Sequence, residues 1–163
     1  SNLYVLCMDQ DGLLTVAPDP LKKNLRKYLN EYRLISDAVD VLDARVLNFG
    51  VDFSIVCHPH ANKRFVIQKV IQALSNILTI ENFQINQPIV LSDLVNVIIN
   101  TDGVISLVKL PRIVSQWGTV DGRVYSNSTF NVKNLETRGL VVPPFGSIFE
   151  MRYPATDIVG NAA

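Results

Sequence analysis

Residues 87–110, QPIVLSDLVNVIINTDGVISLVKL, decide how this chain is read. A short extended connector, Gln87-Pro88-Ile89-Val90, runs into an apolar stretch in which Leu94, Val95, Val97, Ile98 and Ile99 leave hardly any solvent face. That density predicts a well-buried helix. Ser92 suits its N-cap, where a hydroxyl satisfies a free backbone N–H, and Asp93 places negative charge at the positive end of the helix dipole. Asn100-Thr101-Asp102-Gly103 stops the helix, because glycine tolerates the left-handed backbone common at helix exits. Residues 104–110 then read as a β-branched strand closed by Pro111, which has no N–H for a ladder. Nothing in the stretch suits bond-making chemistry. It is built for packing.

Working back toward the N-terminus, Asn62 caps a second helix. Its apolar stripe is Val66, Ile67, Val70, Ile71, Leu74, Ile77 and Leu78, with Lys63, Arg64, Gln68, Lys69, Gln72 and Asn76 on the other face. This is the amphipathicity of a helix lying on a sheet. Residues 39–57 read as strand, with Val51, Phe53, Ile55 and Cys57 alternating against Asp52, Ser54 and Val56. Gly50 interrupts them and is read as a turn between two strands in preference to a bulge in one. Asp19-Pro20 opens a first helix with the stripe Leu21, Leu25, Tyr28, Leu29, Tyr32 and a solvated basic face of Lys22, Lys23, Arg26 and Lys27. Residues 3–8 form a strand ended by Asp9-Gln10-Asp11-Gly12. The order strand, helix, two strands, helix, small helix, strand predicts an α+β fold, a ferredoxin-like split β-α-β layer with its helices on one sheet face. That layer occupies residues 1–110.

Beyond Pro111 no helical stripe can be traced. Residues 111–163 read as an extended, partly β C-terminal arm, with short extended pieces at 123–126, 129–132 and 148–153. Trp117, Tyr125, Phe130, Phe145, Phe149 and Tyr153 are spread along it, which a polar linker would not need. Two readings stand side by side. The segment folds back as extra strands on its own domain, or it docks on a neighbouring subunit with these six aromatics as interface anchors and strand edges as the pairing device.

Composition narrows the function. The chain has 163 residues, 48% hydrophobic and 18% charged, which suits a folded domain with a real core. Fifteen basic residues balance fifteen acidic ones. That argues against nucleic acid as main partner, since phosphate binding needs a basic excess or a basic face. A neutral, apolar chain also has little protection against association, which points to surface covered by other subunits. Cys7 and Cys57 lie in apolar runs and read as core filler in a reducing compartment. There is no signal peptide, and no apolar run approaches the ~20 residues of a membrane span. The chain starts at Ser1 without methionine and is read as part of a longer protein.

Catalytic constellations are weak. Cys57-His58-Pro59-His60 holds metal-ligand residue types, but no second cluster completes a tetrahedral shell. Cys57 and His58, adjacent on a strand, point to opposite faces and cannot pair as nucleophile and base. Asp9-Gln10-Asp11-Gly12 lacks the later ligands of a calcium loop. No phosphate cradle, nucleophile elbow or HExxH motif occurs. The reading is of no enzyme, no catalytic residues, no cofactor and no metal.

With these elements in place, residues 20–108 resemble the C-terminal portion of the baseplate J-like proteins, wedge subunits of contractile phage tails. The likeness rests on Pro20-Leu21, Asp37-Ala38-Val39-Asp40-Val41, the second amphipathic helix, Gln87-Pro88-Ile89-Val90-Leu91-Ser92-Asp93-Leu94 and Asp102-Gly103-Val104. Pro144-Phe145-Gly146-Ser147-Ile148-Phe149-Glu150-Met151-Arg152-Tyr153-Pro154, with Asp157-Ile158-Val159-Gly160, is similar to the end of the wedge protein of T4-like myophages. Gln87 departs from the pattern, where many J-like sequences have glycine. The resemblance implies a viral structural protein of the virion tail baseplate, assembled in the host cytoplasm. It implies a homodimer that contacts other wedge proteins and joins wedges into a ring, with no catalytic residues to carry over. The competing class is a ferredoxin-like nucleic-acid or small-ligand binding module, which would display aromatics on its central strands.

Overall fold

The longest alternating run of the chain, Arg45–Cys57, becomes one strand of 13 residues on which the rest is assembled. The structure, a computed structural model, describes residues 2–31 and 40–163. It opens with three short strands, β1 (Asn2–Val5), β2 (Cys7–Met8) and β3 (Leu14–Thr15), and helix α1 (Asp19–Glu31). β4 (Asp40–Asp43) leads into the long strand β5 (Arg45–Cys57). Next come α2 (Lys63–Ile77), β6 (Ile89–Val90), α3 (Leu91–Ile99) and β7 (Val104–Leu107). The last third holds β8 (Arg112–Gln116), the paired β9 (Thr119–Val120) and β10 (Arg123–Val124), and a one-turn helix α4 (Val132–Leu135). It closes with β11 (Glu136–Thr137), β12 (Leu140–Val141), β13 (Ser147–Glu150), α5 (Pro154–Asp157) and β14 (Ile158–Ala162).

The fold is mixed α+β with several sheets. In the main sheet β13 and β14 lie parallel along one edge of β5, while β7 and β8 lie antiparallel along the other. Side chains alternate along a strand, so Leu47, Phe49, Val51, Phe53, Ile55 and Cys57 enter one core together. α2 lays Val66, Val70 and Leu74 on it, and α3 adds Leu91, Leu94 and Ile98. Asn62 caps α2, its side-chain oxygen accepting from the Phe65 N–H at 3.2 Å. Before β7, Gly103 has φ +95°, and a Cβ there would stand 2.6 Å from Val66 Cγ2. Both the backbone and the space require glycine at that turn.

The pairing departs from the ferredoxin-like order. β5 runs unbroken through Gly50, opposite Val114, and the chain breaks at Ala44 instead. Gly50 lacks a side chain for another reason: a Cβ there would meet the Asp157 carbonyl oxygen at 2.7 Å, where α5 crosses the strand. The first strand also stays out of the main sheet. β1 pairs parallel with β4, β2 pairs with β3, and α1 packs against β4 with none of its residues buried. Ser92 is not the N-cap of α3. β6 is drawn into a sheet with β12, so the helix starts at Leu91, whose N–H donates to the Gly139 carbonyl at 3.0 Å. A backbone acceptor distant in sequence replaces the local hydroxyl. Tyr32 and Asp37-Ala38-Val39 lie outside the described residues.

Three partners of β5 come from residues 111–163: β8, β13 and β14. Over these strands the segment read as an arm is part of the chain's own sheet. β13 is buried at every position, so it carries no alternation to reveal it.

Candidate interface

The six aromatics proposed as anchors divide by burial. Phe149 is fully buried, in the middle of an edge-to-face row: Phe83 to Phe49 at 5.8 Å, Phe49 to Phe149 at 5.8 Å, Phe149 to Phe130 at 5.4 Å. Tyr125 is buried and meets the half-buried Tyr153 edge-on at 5.3 Å. Phe149 and Tyr125 are therefore internal anchors of the chain, a correction to the interface reading for these two, while Phe130 and Tyr153 pack on them half-buried. Phe149 meets Phe49 of β5 and Tyr125 bonds to Asp157 of α5, partners that sequence spacing does not reveal. The other two face outward. Trp117 is 54% exposed, and Phe145 is 77% exposed with its ring edge-on to Tyr4 at 5.4 Å.

On the face of β5 opposite the helices lies a cluster of buried polar groups that sequence reading missed. Glu150 is 2% exposed. Its Oε1 accepts from Asn48 Nδ2 at 2.7 Å and from Arg152 Nε at 2.9 Å, and its Oε2 accepts from the Leu14 N–H at 2.9 Å. Arg152 donates onward to the Leu14 carbonyl at 2.9 Å and the Val124 carbonyl at 3.1 Å. Asn48 Oδ1 takes the Ser126 N–H at 2.7 Å, and the Ser126 hydroxyl donates to the Val46 carbonyl at 2.6 Å. A buried charge is tolerable only when paired and hydrogen-bonded, and these bonds meet both conditions for Glu150. The cluster ties the β2–β3 hairpin and the segment after β10 to the sheet. With both Glu150 oxygens accepting hydrogen bonds from its own chain, the cluster holds parts of the fold together. The opposite charges of Glu150 and Arg152, two residues apart in an otherwise apolar stretch, were the available signal.

A second buried carboxylate lies beside it. Asp157 accepts from the Tyr125 hydroxyl, at 2.9 Å on Oδ1 and 2.8 Å on Oδ2, and Arg123 Nε donates to the Tyr125 oxygen at 2.9 Å. Burial pushes the Asp157 carboxyl above its ordinary value, against the opposing pull of the Tyr125 hydrogen bond and the Arg123 charge. Burial likewise raises the Tyr125 phenol, while the Arg123 hydrogen bond lowers it. The arrangement is a hydrogen-bonded chain from Arg123 through Tyr125 to Asp157.

His58 and His60 are exposed around the turn after β5, whereas Cys57 is buried on the core face. No group of three His, Cys, Asp or Glu side chains fit to hold a metal occurs among the described residues. Asp9 Oδ1 accepts from the N–H groups of Asp11 and Leu13, each at 2.9 Å, so that carboxylate serves its own turn. No helix among the described residues is long and apolar enough to cross a membrane. A groove of 850 Å³ runs along β8 between Trp117 and the segment around Phe130 and Lys133. No family model matches the chain, and no curated protein matches it.

Proposed function

We propose that this chain is a structural subunit of a contractile phage tail baseplate wedge, self-associating and joining wedges into the ring around the hub. Its partners are then other copies of itself and other wedge proteins in the virion, with no role for nucleic acid, a membrane or a small-molecule substrate. The observation that carries the reading is where the resembling stretches fall. Ile89, Leu91 and Leu94 from the one, and Phe149, Met151 and Ile158 from the other, share a single core with β5. These parts of the likeness lie in the framework of the fold, whereas Pro20-Leu21 lie on the exposed helix α1 and Asp37-Ala38-Val39 lie outside the described residues. The reading retains, from the ferredoxin-like expectation, a layer of helices on one face of a mixed sheet.

The nucleic-acid alternative has no observation in its favour, because Phe53 is in the core and the formal charge is zero. The test is genetic and compositional. A nonsense mutation in the phage gene for this chain should give particles without assembled baseplates, and mass spectrometry should find the chain in purified parental tails. Complete baseplates formed without it would end the proposal.

A further inference from the structure

Among the described residues the main sheet has no further strand beyond β14 on one side or beyond β8 on the other. Arg112–Gln116 pairs with β5 on one side, and among the described residues no strand pairs with its other side. No backbone N–H or C=O of β8 bonds outside that ladder among the described residues. Such a row of groups is a template for another strand. The edge is also flanked by exposed apolar residues, Val108 at 58% and Leu110 at 62% before it and Trp117 at 54% after it. The groove of 850 Å³ leaves room beside it.

We propose that β8 pairs with β8 of a second copy, antiparallel about a two-fold axis through Val114. The inference rests on the self-associating subunit described above and assigns that association to a surface. A strand paired with itself about a two-fold makes an isologous contact, the same patch on both sides. In this register Val114 faces Val114, Ile113 faces Ser115, and Arg112 faces Gln116, so no like charges are opposed. An axis through Arg112 would oppose two guanidinium groups, which cross-strand pairing penalises. Arg112 is already neutralised by Asp52 at 2.7 Å, so the two identical edges meet without net repulsion. The same register sets Trp117 of each copy beside Pro111 and Leu110 of the other, covering the exposed side chains at both ends. The result is a continuous sheet with five strands from each copy.

The whole chain is tested by sedimentation equilibrium over a range of concentrations and by cysteine cross-linking. The expected result is a dimer, with V114C forming an intermolecular disulfide and an R112C plus Q116C mixture cross-linking where Q116C alone does not. The parent chain, with Cys7 and Cys57, sets the background. V114K opposes two ammonium groups and should weaken the dimer at least about tenfold. A monomer at every concentration overturns the proposal. So does a dimer that survives V114K unchanged with no V114C cross-link, although that outcome leaves the wedge proposal standing on another surface. If V114K does not fold, the V114C cross-link decides by its presence or absence. A cross-linked dimer together with complete baseplates formed without the chain would sink the wedge proposal and leave this interface intact.

Discussion

Glu150 accepts hydrogen bonds from Asn48, Arg152 and the Leu14 backbone at a site 2% exposed to solvent. Glu150→Leu would remove the acceptor from all three donors and leave the Arg152 charge buried without its partner. Breaking a buried pair in this one-sided way costs roughly 3–5 kcal/mol, so the urea midpoint should fall accordingly. Ser147 gives the opposite sign. It is fully buried with its hydroxyl unpartnered among the described residues, so Ser147→Ala removes an unsatisfied group and should stabilise by about 1 kcal/mol. The Asp157 carboxyl adds a pH term. Burial raises it above 3.8, so between that value and the folded one the native state holds a proton that the unfolded chain has released. Its contribution is complete below the ordinary aspartate range and is lost as pH rises through the folded value. Unfolding of parent and D157N chains at about pH 4 and about pH 7 checks the sign, because the parent's advantage should shrink at the higher pH. An advantage that grew with pH would mean that Asp157 is held below its ordinary value.

At the scale of elements, what was legible was local. Asn62 as cap, the Val66-Val70-Leu74 stripe, the Gly103 turn and the alternation from Val51 to Cys57 all depend on neighbours within a few residues. Asn62→Ala should cost α2 about 1 kcal/mol by thermal or urea unfolding, the usual worth of an N-cap. What was not legible depended on partners far along the chain. The Gly139 carbonyl displaced Ser92 as the start of α3, and the crossing of α5 explains Gly50 where the sequence suggested a turn. Gly50→Ala should therefore destabilise by roughly 1–3 kcal/mol through overpacking against backbone, with little change expected if that position were a solvent-facing turn. The candidate interface divides in the same way. Aromatic spacing marked six residues, but only contact with Phe49 of β5 determines that Phe149 turns inward, with Phe130 packed half-buried on it. β8, with its outer side unpaired among the described residues, follows a proline and lacks a long alternating run, so its role appears only once β5 is seen beside it.

For the molecule as a whole, the question is whether residues 140–163 are an appendage or part of the frame. Deleting them removes β13 and β14, the entire parallel edge of β5. It also removes five buried apolar side chains, Val141, Ile148, Phe149, Met151 and Ile158. Each is worth about 1.5–3 kcal/mol when fully buried, which sums to roughly 8–15 kcal/mol. That is the size of the total stability of an ordinary domain, about 5–15 kcal/mol, before the lost ladder bonds and the Glu150 cluster are considered. The truncated chain should therefore show no cooperative thermal transition by circular dichroism. An arm that docks only on a neighbour would behave differently, because its removal would leave the remaining domain melting cooperatively near the parent temperature and would weaken association alone. The two outcomes separate a subunit whose contacts are carried on a closed sheet from one that completes itself only in the assembly.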